Sequence, residues 1–181
     1  MRKFLKLIVI ASFLFMSGCY PGITGRVVDG MTGKPLEGAL VLAQWTKTHG
    51  LPGMRYRDLF KITETLTDKE GRFSLIGTSD SSVEPPEMII YKEGYIPWRN
   101  DAIFPSSDIV KSNEWKDKIT YKLDVLTDKY TYVQLYDFLD YRIIGMGLKE
   151  SSIFTGLMHQ ISVKRFKEIE IKKSNIKKQD M

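Results

Sequence analysis

The side chains able to do chemistry in this sequence are few and widely spaced. A chain of 181 residues carries one cysteine, Cys19, and two histidines, His49 and His159. One thiol cannot close an internal disulfide framework, and the same count excludes a multi-cysteine metal cluster. Two imidazoles exclude a three-histidine zinc centre. No G-x-S-x-G, H-E-x-x-H or P-loop pattern occurs. The carboxylates are numerous but scattered. Asp68-Lys69-Glu70-Gly71 lacks the twelve-residue spacing and closing glutamate of a calcium loop and reads as a turn. No catalytic residue, no metal ligand and no cofactor is therefore expected. Recognition chemistry concentrates in residues 47–58, where His49, Arg55, Tyr56 and Arg57 bring donors and aromatic faces to one long connection. Long loops on a rigid scaffold are where binding residues tend to sit, with an ordinary exposed loop as the competing reading. Trp98 and Trp115, with Tyr95 and Phe104, offer an aromatic patch for glycan or peptide, or simply core packing.

The elements that must position these residues begin with a short apolar segment. Met1-Arg2-Lys3 is basic, and residues 7–16 are uninterrupted apolar or small residues. A permanent membrane helix needs roughly 20 apolar residues, so this length fits a signal-peptide core. Met16-Ser17-Gly18-Cys19 resembles the lipobox of bacterial lipoproteins, although Met16 replaces the usual leucine. The resemblance implies that residues 1–18 are removed, that Cys19 is lipidated, and that it becomes the new N-terminus. Each buried CH₂ of an acyl chain adds about 0.8 kcal/mol of membrane affinity, so several chains anchor stably. Tyr20 stands where an aspartate would signal retention at the inner membrane, which points to the outer membrane in a Gram-negative host.

From Ile23 to Leu126 the signals are those of short strands and tight turns. Residues 23–28 alternate with period two, and residues 29–35 are dense in turn formers. Residues 39–45 form an apolar run suited to a strand buried on both faces. Residues 62–67, the turn 68–71 and residues 72–76 read as a hairpin, with Gly71 in the left-handed position. Residues 88–91 and 119–125 complete the set, which suggests a sandwich. Beyond Asp128 the period becomes helical. One helix is expected over residues 130–144, capped by Asp128 or Thr131, and another from Ser151 or Ser152. The last residues read as a frayed end.

Four separated segments then resemble the carboxypeptidase regulatory-like domain: residues 25–29, residues 32–41, Thr67-Asp68-Lys69-Glu70-Gly71-Arg72-Phe73, and Lys92-Glu93-Gly94-Tyr95. This implies a mainly β chain, with a transthyretin-like (prealbumin-like) antiparallel β-sandwich of about seven strands over residues 19–126. A helical extension with a basic tail covers 127–181. The matched residues are folding residues, so the resemblance implies an accessory module and no activity. An enzyme of the same fold, 5-hydroxyisourate hydrolase, ends in Tyr-Arg-Gly-Ser, whereas Tyr141-Arg142 here is followed by Ile143 and Ile144.

The formal charge of +5 divides unevenly. Removing residues 1–18 leaves 24 basic and 22 acidic side chains, and residues 164–181 alone carry seven basic against three acidic. The expected protein is a non-enzymatic lipoprotein held to the membrane through lipid on Cys19. It would serve as a binding or scaffold module for an envelope protein or glycan, and export disfavours nucleic acid as a partner. The alternatives are an accessory subunit or enzyme acting on envelope polymers, and an immunity or inhibitor lipoprotein.

Overall fold

The computed structural model describes residues 22–106, 117–140 and 152–179. Residues 1–18, Cys19, Tyr20, Trp115, and Gly145 and Gly147 lie outside the described residues. The strands are β1 (Gly22–Asp29), β2 (Leu40–His49), β3 (Tyr56–Leu66), β4 (Arg72–Ile76), β5 (Glu87–Tyr91), β6 (Trp98–Arg99) and β7 (Ile119–Leu123). They form a three-stranded sheet, β4-β1-β7, facing a four-stranded sheet, β3-β2-β5-β6. The helices are α1 (Tyr132–Asp140) and α2 (Ser152–Gln179). The expected mainly β sandwich followed by helix is therefore the observed architecture.

Period-two alternation explains the layering. From β2, Val41, Ala43 and Trp45 enter the core between the sheets, while Leu40 and Leu42 point to the opposite face. In β5 the same alternation sends Met88 and Ile90 inward and Ile89 and Tyr91 outward. The two central strands are thus buried on both faces, as their continuous apolar composition predicts. The outward face is covered by Leu135, Phe138 and Leu139 of α1 and by Phe154, Met158 and Ile161 of α2.

Four expectations are corrected. The sandwich is not wholly antiparallel, because β7 pairs parallel with β1, from Gly25 opposite Ile119 to Asp29 opposite Leu123. No hairpin joins those two strands, so nothing local imposes the antiparallel sense. The turn at residues 68–71 does not close a hairpin: β4 leaves the sheet of β3 and pairs with β1. Gly71 does take the left-handed conformation, with φ of 72°, and a Cβ there would collide with the Val27 carbonyl oxygen. Val27 N–H donates to the Gly71 carbonyl at 2.7 Å, so the turn lies directly on β1. Half of the long connection expected over residues 47–58 is strand. A β-bulge between Trp45 and Thr46 lets β2 and β3 pair on to His49 and Tyr56. The basic C-terminal stretch is helical through Gln179 rather than frayed. Lys, Glu and Gln favour helix, Lys172 pairs with Glu168 at 3.0 Å, and Lys177 and Lys178 complement the helix dipole.

Polar groups fix the helix ends, to one another and to the sheet. Thr131 and Gln134 form a reciprocal capping box at the start of α1. Glu168 of α2 also accepts from Tyr132 N–H at 2.8 Å. Glu64 of β3 accepts from Ile153 and Phe154 N–H, each at 3.0 Å, and so caps α2. Arg99 of β6 is 2% exposed. It grips Asp101 through two bonds of 2.9 and 2.7 Å, and donates to the Phe138 carbonyl at 2.6 Å. That carbonyl lies in the last turn of α1, where a cation meets the negative end of the helix dipole.

Candidate functional site

The extended β2–β3 hairpin brings all four recognition candidates of residues 47–58 together. His49 ends β2, Tyr56 opens β3, and the two are cross-strand partners. Their rings stack with centroids 5.4 Å apart and planes inclined by 22°. His49 Nε2 also lies 3.7 Å from Asp58 Oδ2. Arg57 sits opposite Thr48 and forms ion pairs with Glu84 at 2.8 Å and Glu87 at 3.1 Å. Thr48 donates its hydroxyl to Glu84 as well. Arg55, on the tip, finds no hydrogen-bonding or ionic partner among the described residues. A depression at the hairpin is lined by Thr48, Gly50, Arg55, Tyr56, Arg57 and Glu84.

The hairpin's base is braced against the body. Lys47 reaches Asp80 at 2.7 Å, and the ammonium holds that carboxyl well below the usual carboxylate range, helped by donors from Ser82. Lys47 also lies 4.3 Å over the Phe60 ring. Lys61 donates to the Gly77 carbonyl at 2.5 Å. Glu84 N–H donates to the Thr46 carbonyl at 2.9 Å. Beside Arg55 the tip exposes apolar and aromatic side chains: Leu51 is 75% exposed, Met54 80% and Tyr56 59%. Sequence reading singled out the donors and missed this apolar tip, although Leu51-Pro52-Gly53-Met54 stood between them. It also missed Glu84 and Glu87, because no spacing rule links Arg57 to residues in a different connection.

Among the described residues the expected aromatic patch is divided between the two cores. Trp98 packs on the inter-sheet core, with its ring 4.7 Å from that of Tyr121. Phe104 packs on the opposite core, 5.3 Å from Phe138. Tyr95 donates its hydroxyl to Asp29 at 3.0 Å. Asp29 accepts also from Met31 N–H and from the N–H and hydroxyl of Thr32, and these donors, Thr32 first, lower its pKa. Asp117 accepts from both donors of Thr24 at 2.8 Å, which lowers its pKa likewise. A smaller cleft of about 180 Å³ lies where α2 crosses the sheet, lined by Tyr91, Lys92, Glu93, Leu157 and Lys164 among others. Lys164 pairs with Glu93, which raises the ammonium's pKa. No three His, Cys, Asp or Glu side chains come together as metal ligands among the described residues. No described helix is long and apolar enough to cross a membrane.

No family model matches the chain, and no curated protein matches it. Solved structures similar to it include a 3-chlorocatechol 1,2-dioxygenase from Rhodococcus opacus 1CP, at 17% identity over 58% of this chain and 60% of that one, with a TM-score of 0.37. A streptococcal ancillary pilin matches at 18% identity over 58% and 29%, with a TM-score of 0.31. The C-terminal domain of the shaft pilin SpaA from Lactobacillus rhamnosus GG matches at 15% identity over 58% and 97%, with a TM-score of 0.32. The match spans less than two thirds of the dioxygenase and of the ancillary pilin.

Proposed function

We propose that this protein is a lipid-anchored bacterial lipoprotein whose sandwich, of the carboxypeptidase regulatory-like, transthyretin-like kind, acts as a non-enzymatic binding or scaffold module at the cell envelope. The observation that carries this reading is the use made of the acidic side chains. Asp29 closes a turn, Asp117 ties down β1, Glu64 and Glu168 cap helices, and Asp101 holds Arg99. General acid–base work needs a carboxylate or imidazole free to reach a substrate, and these groups are committed to backbone and cation partners. The sequence supports the anchor: Cys19 is the chain's only thiol and stands three residues before β1.

In this reading the acyl chains on Cys19 hold the sandwich at the membrane and leave its basic helix and the surfaces away from the anchor for an envelope protein or glycan. In a Gram-negative host the protein sits on the periplasmic side of the outer membrane. Metabolic labelling with a palmitate analogue tests the anchor, with labelling expected in the wild type and none in Cys19→Ala. Undiminished labelling of the variant would overturn it. Envelope crosslinking with mass spectrometry of the captured species then identifies the partner.

A further inference from the structure

The direction of β2 decides what lies beside the anchor. Leu36 N–H donates to the Val27 carbonyl at 3.0 Å, and Thr67 N–H to the Ala39 carbonyl at 2.9 Å, so β2 starts beside the far end of β1. It then runs back toward the point where β1 begins. Gly22 is the register partner of Ile76, and Lys61, opposite Trp45, reaches the carbonyl of the next residue, Gly77. Trp45 and Lys61 are therefore about level with Gly22. Beyond that level β2 and β3 pair onward from Thr46 to His49 and from Leu59 back to Tyr56. At about 3.3 Å per residue those four residues carry the hairpin about 13 Å past the start of β1. Residues 50–55 extend it further.

Three residue steps separate Cys19 from Gly22, and extended chain spans at most about 3.6 Å per residue. A lipidated Cys19 therefore cannot hold the start of β1 more than about 11 Å from the headgroups. The hairpin projects by a similar length from the same end of the sandwich. Its tip presents Leu51, Met54 and Tyr56, each more than half exposed, and Arg55 without an ionic partner among the described residues. Residues 50–54 contain no carboxylate. Apolar side chains beside one guanidinium and one phenol ring suit a headgroup boundary: Leu and Met enter the acyl region, Arg55 meets phosphate, and Tyr56 spans the two. Gly50, with φ of 95°, makes the tight bend at which a Cβ would collide with the Met54 carbonyl oxygen. This holds the tip compact.

We infer that the β2–β3 hairpin tip is a second membrane contact, laid into the surface of the same bilayer that takes the acyl chains of Cys19. The inference rests on the proposed anchor, so its test separates the two. In the mature lipoprotein the Cys19 sulfur is alkylated, and a cysteine introduced at position 51 is the sole free thiol. Leu51→Cys and, at the opposite end of β1, Met31→Cys are labelled with an environment-sensitive fluorophore. Each is reconstituted into vesicles of phosphatidylethanolamine and phosphatidylglycerol containing brominated lipid. Met31 is 90% exposed and serves as the reference. Quenching several-fold stronger at position 51, with blue-shifted emission, is the expected result. Equal quenching at the two positions in protein that floats with the vesicles overturns the hairpin contact while the anchor stands. Labelling of Cys19 itself, with protein that does not float, overturns the anchor and with it this inference.

Discussion

The two central strands, β2 and β5, are buried on both faces of their sheet, but the two faces are held in different ways. Toward the three-stranded sheet, β2 and β5 meet Val27, Phe73, Leu75, Tyr121 and Leu123 in a core built from strand alternation and closed by tight turns. Toward the helices, Leu40, Leu42, Ile89 and Tyr91 meet helical side chains, and long-range polar clamps fix the helices in place. The difference follows from the partners. A strand is registered by its own ladder, whereas a helix lying on a sheet can slide or rotate unless its termini are tied. Arg99 serves this purpose where a buried cation touches sheet, acid and helix together.

The largest effect is expected where that tie is cut. Arg99→Ala leaves Asp101 without its bidentate partner and frees the last turn of α1. Breaking a buried pair from one side costs about 3–5 kcal/mol. The helical signal at 222 nm should melt well below the near-ultraviolet signal to which Trp45 and Trp98 of the inter-sheet side contribute. Coincident melting with a loss below about 1 kcal/mol would show that apolar packing alone fixes the helices.

On the inter-sheet face the corresponding weak point is backbone conformation. Gly71→Ala places a Cβ at positive φ and against the Val27 carbonyl, and such strain costs about 1–3 kcal/mol. This variant should lower both spectroscopic transitions together, because the turn connects the two sheets. Chemical denaturation followed at both wavelengths decides it. A selective loss of helix would contradict the division of labour between the faces.

The inter-sheet core was legible in the sequence because its signals are local. Residues 25–41 and 67–73 carry the alternation and the turn formers within a few positions of one another, and Gly71 takes the left-handed conformation read for it. The sheet assignment of β4 was not legible, since a tight turn that joins a pair of strands and one that moves the chain between sheets share the same residues. The helical seam was legible only in part. Apolar spacing gave both helices, but Glu64 lies 89 residues from Ile153 and Arg99 lies 39 from Phe138, and no periodicity connects them. At the candidate site His49, Arg55, Tyr56 and Arg57 were identified by type, while the bulge at Trp45/Thr46 that turns their loop into a hairpin left no pattern.

The smallest effect at neutral pH, and the sharpest for telling the two faces apart, belongs to Asp29. Four donors converge on its carboxylate and hold its pKa below the ordinary value, and Asp117 at the other end of β1 is shifted the same way. An unfolded aspartate titrates near 3.9, so below about pH 5 the unfolded chain binds more protons than the native one. Stability from these groups is complete above that pH and is lost as pH falls through the lowered native values. Asp29→Asn keeps one acceptor oxygen for Thr32 but cannot titrate. Its melting temperature should run parallel to that of the wild type above pH 5 and fall less steeply below it, with the remaining slope owed to Asp117 and Asp80. An unchanged acid slope would mean that the turn closing β1 contributes nothing to acid lability, and that the inter-sheet face is held by packing without its polar ends.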